Sequence, residues 1–203
     1  SQPFASIKSI NSADVRVSSS LFAFGFTAFK SKAALQISVL ALILAIANLG
    51  GSNSTKSASE HDLASANLFS FYQAKNVRQT QYKIALDQLE LQLAGQPNIS
   101  SSAREKIEGK IAAYKKNIER YESEPETGEG KKELLAKAKH EEELRDLYVR
   151  KDPWFDYGAG LLQIAIVLAS VAIVINSGVL LSGSLVVGIF GVLSALNGFF
   201  LFV

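Results

Sequence analysis

Few side chains in this 203-residue sequence could do chemistry: it has two histidines and no cysteine. The missing cysteines exclude disulfides, thiol catalysis and Cys-based zinc sites. His140 and Glu143 stand one helical turn apart, a spacing that two metal ligands can use. Glu141 and Glu142 lie between them and no second His is near, so the segment reads as a solvated, charged helix face. His61, next to Asp62, reads as a neighbour of a helix cap. Gly128-Glu-Gly-Lys-Lys132 lacks the GxxxxGK[ST] spacing of a phosphate loop and does not follow a strand, so it reads as a turn. No Ser, His and Asp form a triad or elbow, and no paired carboxylates or dinucleotide fingerprint stand out. The expectation is a protein without catalytic residues, without metal ligands and without enzymatic activity. With a net charge of only +2 and no basic-aromatic pattern, no nucleic-acid partner is expected.

The remaining polar groups of interest sit in apolar surroundings. Asn48, Gln163, Asn176 and Asn197 fall in or beside long uncharged runs, where each costs energy unless partnered. They read as interhelical hydrogen-bonding groups or as groups placed near the interface; the sharper alternative is that one ligates a pigment or lines a path, and no cofactor is otherwise implied beyond a bound lipid or pigment. Small residues recur beside them at steps of three and four: Ser184, Gly188, Gly191, Ala195 and Gly198 in one run, Ala165, Ala169 and Ala172 in another. Lipid is as apolar as the side chains of a membrane helix, so such helices associate through small residues that allow close approach. The stripes are expected to close a helical hairpin or to dock on another protein's helix.

These groups imply an all-α integral membrane protein with about three transmembrane helices and an extramembrane antiparallel coiled-coil hairpin. Residues 1–32 form a basic, Phe-rich arm. Residues 33–50 form the first span, near the short end of what crosses a core about 30 Å thick, and Gly50-Gly51 is expected to stop it. Phe22, Phe24, Phe26 and Phe29 read as an interfacial anchor or, less well, a short strand. Residues 51–153 form the charged domain. There a polar linker leads to a helix opened by Ser59 in a loose capping box with Asp62, with a seam of Phe69, Tyr72, Gln79, Tyr82, Leu86, Leu89 and Leu93. Gly95 and Pro97 end it. A second helix opens at Ser102 and breaks at Ser123–Gly130; a third runs from Lys131 to Lys151, where Pro153 is expected to break it. Residues 154–203 form a transmembrane hairpin turning at Ser177-Gly178, with no charged residue or His from Gly158 onward.

The Ser-rich, acid-poor start is compatible with the tail of an organellar transit segment and equally with a plain basic arm. With no Met anywhere, the sequence reads as starting after processing or after its own beginning. The basic N-terminal arm and Arg150-Lys151 at the far end of the charged domain each favour the cytoplasmic, stromal or matrix side, and with one span between them both cannot hold; the N-terminal residues weakly favour that end on that side.

Two stretches carry a family resemblance. Phe69–Tyr82, FSFYQAKNVRQTQY, resembles the aromatic-Tyr-Gln-Ala-Lys segment of the bacterial membrane-protein family DUF4337 (domain of unknown function 4337), placing Phe71, Tyr72, Gln73, Ala74 and Lys75 on its motif. Gly160–Val174, GLLQIAIVLASVAIV, resembles that family's second span. The order of one span, a charged helical middle and two final spans also resembles the family, over roughly Lys32–Val203. WFDYG stands where a more basic or His-containing stretch would be expected. The resemblance implies the architecture and no activity.

The expected function is a non-catalytic accessory or scaffold subunit of a larger membrane complex, an energy-transducing one such as a photosystem or respiratory complex. The membrane would be thylakoid, inner mitochondrial or bacterial inner. A self-assembling organiser and a small channel or transporter are the alternatives. Partners are other membrane subunits or copies of the chain itself, together with membrane lipid.

Overall fold

A computed structural model describes residues 12–96 and 98–202, with side chains from residue 27 onward. The early part of the N-terminal arm, the side chains of Phe22, Phe24 and Phe26, and Pro97 lie outside the described residues. Four helices account for nearly all of the rest: α1 (Ser12–Gly95), α2 (Ser101–Glu122), α3 (Lys131–Ile175) and α4 (Gly178–Phe200). No strand occurs among the described residues, and the Phe-rich stretch is helical. Three helices, counted from Thr27, contain windows long and apolar enough to cross a membrane: Thr27–Gly95, Lys131–Ile175 and Gly178–Phe200.

The chain divides into two compact units, one taking the chain up to Asn53 and again from Arg150, the other Ser54–Val149. α1 and α3 contribute to both.

Two expected breaks do not occur. Gly50-Gly51 does not stop α1, because both glycines serve as seats for Phe155. A Cβ at Gly50 would collide with the Phe155 ring, and one at Gly51 would lie 3.2 Å from its Cβ. Close packing offsets the roughly 1 kcal/mol that each glycine costs a helix. The downstream serines also join the helix rather than a linker. Ser59 donates to the Thr55 carbonyl at 2.9 Å from mid-helix, so it caps nothing.

Pro153 likewise lies inside α3. Proline removes one backbone donor and costs a helix interior about 3 kcal/mol. Each side of it is held independently, by Phe155, Gly158 and Leu162 in one unit and by Leu134 and Ala138 in the other, all buried. Helix α2 is capped by Ser100 rather than Ser102, with its hydroxyl accepting from the Ala103 N–H at 3.4 Å.

The period explains what the local signals concealed. Buried or half-buried positions on α1 run Ala33, Leu40, Ala47, Ser54, His61, Leu68, Lys75, Tyr82 and Leu89, with Ile37, Leu44, Gly51, Ala58, Ser65, Tyr72, Gln79, Leu86 and Leu93 between them. Both series step by sevens, the repeat of a helix seated on other helices along one seam.

Candidate functional site

In the first unit the small residues line the inside. Ser184, Gly188, Gly191, Ala195 and Gly198 on α4 are all buried, and so are Ala165, Ala169 and Ala172 on α3. The core joins Leu40 and Ala47 of α1 to Leu162, Ala165 and Ala195, and Ile43, Leu44, Ile166, Val187 and Val192 pack around it. The approach is close enough that a Cβ at Gly191 would lie 2.9 Å from Leu162 Cγ and 3.1 Å from the Gly158 carbonyl oxygen. A Cβ at Gly188 would lie 2.7 Å from a Leu40 methyl. The α4 stripe therefore contacts α1 and α3 of its own chain.

Polar groups bridge the same seam. Gln36 donates from Nε2 to Ser184 Oγ at 3.0 Å, and Ser184 donates to the Ala165 carbonyl at 2.6 Å. Ser194 donates to the Trp154 carbonyl at 2.9 Å. Of the four amides flagged in the sequence, Asn197 is buried, whereas Asn48, Gln163 and Asn176 are exposed. Asn176 takes a left-handed φ of 52°, which allows the sharp turn into α4, and Ser177 caps that helix. Large side chains lie outside: Val39, Leu42, Ile46, Val167, Val186, Ile189 and Phe190 are all exposed.

In the second unit a fully buried glutamine ties three elements together. Gln79 Nε2 donates to the Ile118 carbonyl at 2.9 Å and to Glu122 at 3.0 Å, while its Oε1 accepts from Lys131 at 2.9 Å. The Gln79 hydrogen bond is the main reason the Glu122 carboxyl titrates below its ordinary value; Lys131 adds to the effect. Glu133 is also lowered, chiefly because it accepts from the Ser123 hydroxyl at 2.5 Å, and it accepts from the Glu124 N–H as well. This pairing pins the α2–α3 loop to the start of α3. Gly128 turns that loop at a φ of 66°, and Lys137 donates to its carbonyl.

Further along α1, His61 Nδ1 lies 2.7 Å from Glu141 and its ring stacks on Tyr148 at 5.6 Å. Arg145 binds Asp62 at 3.1 Å and also Asp146, and together they hold its pKa above the ordinary value. His140 and Glu143 face solvent 4.0 Å apart, and among the described residues no three His, Asp or Glu side chains gather as a metal site.

The motif residues separate by role. Tyr72 lies under the Lys131 ammonium at 5.6 Å, and Lys75 pairs with Glu129 at 3.4 Å while sitting 5.5 Å from the Tyr121 ring. Phe71 and Ala74 line a groove of about 510 Å³ with Leu68, Arg78 and Leu134, and Gln73 is exposed. The profile of DUF4337, a domain of unknown function, matches residues 29–201. The chain belongs to this family. The match spans both units of the DUF4337 fold and nearly the whole chain. No curated protein and no solved structure matches the chain.

Sequence reasoning missed Gln36, Phe155 and Lys131 as tie points. The signal for Phe155 was available, since it falls on the sevenfold series Leu134, Glu141, Tyr148, Phe155, Leu162 and Ala169 of α3.

Proposed function

We propose that this DUF4337 chain is an integral membrane protein with three spans that serves as a non-catalytic scaffold or accessory subunit of a larger membrane assembly. Support for the membrane placement is the distribution in the first unit, with Ala, Gly and Ser predominating inside around Leu40, Phe155 and Leu162, and most of the large aliphatic and Phe side chains outside. A soluble unit of this size would bury its large apolar side chains.

The observation that carries the scaffold reading is how the second unit uses its polar groups. Gln79, Glu122, Lys131, His61, Glu141, Arg145 and Asp62 are engaged in holding helices to one another. Such bonds stiffen a helical unit, as a structural subunit requires. The test is extraction from native membranes in mild detergent followed by native electrophoresis. Co-migration with larger, distinct polypeptides is expected; a chain running alone as a monomer contradicts the reading.

A further inference from the structure

We infer that the outward face of α1 between Leu63 and Leu91 is a second coiled-coil seam, and that its partner is the same face of a second copy of this chain. This goes beyond the scaffold reading and does not depend on which other subunits are present.

The inward seam of α1 in this unit is occupied by α2 and α3. At about 100° per residue, the positions two and six residues after each member of the series His61, Leu68, Lys75, Tyr82 and Leu89 lie on the side of the helix turned away from that seam, with Ala74 and Gln81 at its edge, where they line grooves shared with α3 and α2. Those positions are Leu63, Ser70, Val77, Ile84 and Leu91, alternating with Asn67, Ala74, Gln81 and Gln88. They step by four and three, the spacing of a and d positions. All are exposed, and the aliphatic ones strongly so: Leu63 64%, Val77 56%, Ile84 54% and Leu91 71%.

α1 carries many charges here, among them Glu60, Asp62, Lys75, Arg78, Lys83, Asp87 and Glu90, yet none falls on the stripe. Among the described residues of the Ser54–Val149 unit, Val149 alone of the exposed large apolar side chains lies off this side of α1; Phe71 flanks the stripe. The stripe is about 42 Å long, carries no charge and sets four strongly exposed aliphatic side chains among Asn67, Ser70, Ala74, Gln81 and Gln88, a pattern that can seat another helix along a seam.

A second copy fits this stripe for three reasons. It supplies a helix with the same period over the same length. With no charge on the stripe, like meets like without repulsion, as a two-fold contact requires. The side-chain amides of Asn67, Gln81 and Gln88 make no hydrogen bond to another described residue, and a carboxamide, being both donor and acceptor, is complementary to another carboxamide. Polar residues at core positions of a coiled coil set register and partner number at a cost in stability, so the pairing is specific and reversible.

Val77 is midway between Leu63 and Leu91, so it meets its own counterpart whether the two helices run parallel in register or antiparallel about their centre. The experiment uses the full chain in mild detergent, with protein mass measured by light scattering across a dilution series. The wild type dimerises. Val77→Glu and Val77→Lys, each alone, weaken the dimer about tenfold or more through like-charge contact, with helical content unchanged because Val77 is exposed. Mixing the two variants restores a dimer containing one of each. A monomeric wild type, a dimer indifferent to both variants, or association only with a different polypeptide overturns the inference.

Discussion

The two units of this chain solve the same packing problem with opposite residues. In the unit built from the first part of α1, the end of α3 and α4, the inside is Ala, Gly and Ser around Leu40 and Leu162, and the outside is Leu, Ile, Val and Phe. In the Ser54–Val149 unit the inside holds Ser65, Gln79, Leu134 and Ala138, with Tyr82 against Tyr114 and Tyr121, and the outside is mostly charged and polar. Both seams follow a seven-residue repeat, so helix geometry does not separate them; on the proposed membrane placement, the surrounding solvent does. Where lipid surrounds a helix, burying large apolar groups gains little and close backbone approach decides the fold. Where water surrounds it, the apolar seam and the buried hydrogen bonds do.

The sharpest way to break this contrast is to enlarge a small residue inside the first unit. Gly191→Leu must push against Leu162 and the Gly158 backbone, and should cost about 3 kcal/mol through overpacking. Denaturant titration in micelles, read by circular dichroism, checks it. An unchanged midpoint would show that the close approach is dispensable.

In the second unit the matching change is a deletion. Gln79→Ala strips a partner from the Ile118 carbonyl, Glu122 and Lys131 at once, and should cost about 2 kcal/mol. A lower melting temperature in thermal unfolding is the expected readout.

Ser184→Ala removes the link between Gln36 and the Ala165 carbonyl. Hydrogen bonds between membrane helices are modest, so a loss of about 1 kcal/mol is expected in the same micelle titration.

The smallest effect is that of pH. Glu122 has a folded-state pKa below its ordinary value of 4.5, mainly because of Gln79. Its contribution is therefore present above that ordinary value and is lost as pH falls through the lowered one. Thermal stability of the Ser54–Val149 unit should decline on acidification below about pH 4.5, and Glu122→Gln should flatten that decline.

Much of this architecture could be read before any coordinates. Ser123–Gly130 and Ser177-Gly178 interrupt the helices because their breakers coincide with gaps in the seams. Gly50-Gly51 and Pro153 misled for the opposite reason. Their local preference for a break is outweighed by packing partners distant in sequence, and only the unbroken repeat through positions 47, 54 and 61 hinted at it. The spacing of the small residues on α4 was visible. That they meet Leu40 and Leu162 of the same chain was not, since spacing names a face and not its neighbour. The outward stripe of α1 stayed hidden because Ser, Asn and Gln dilute its aliphatic residues into what reads as an ordinary polar surface.

The account rests on lipid covering the large side chains that the first unit turns outward. With no native cysteine, single substitutions report each position separately. In intact vesicles, Val167→Cys and Phe190→Cys should resist a water-soluble maleimide although both positions are exposed on the protein, while Lys139→Cys should label quickly once the reagent reaches its side. Equal labelling at all three positions would contradict the account.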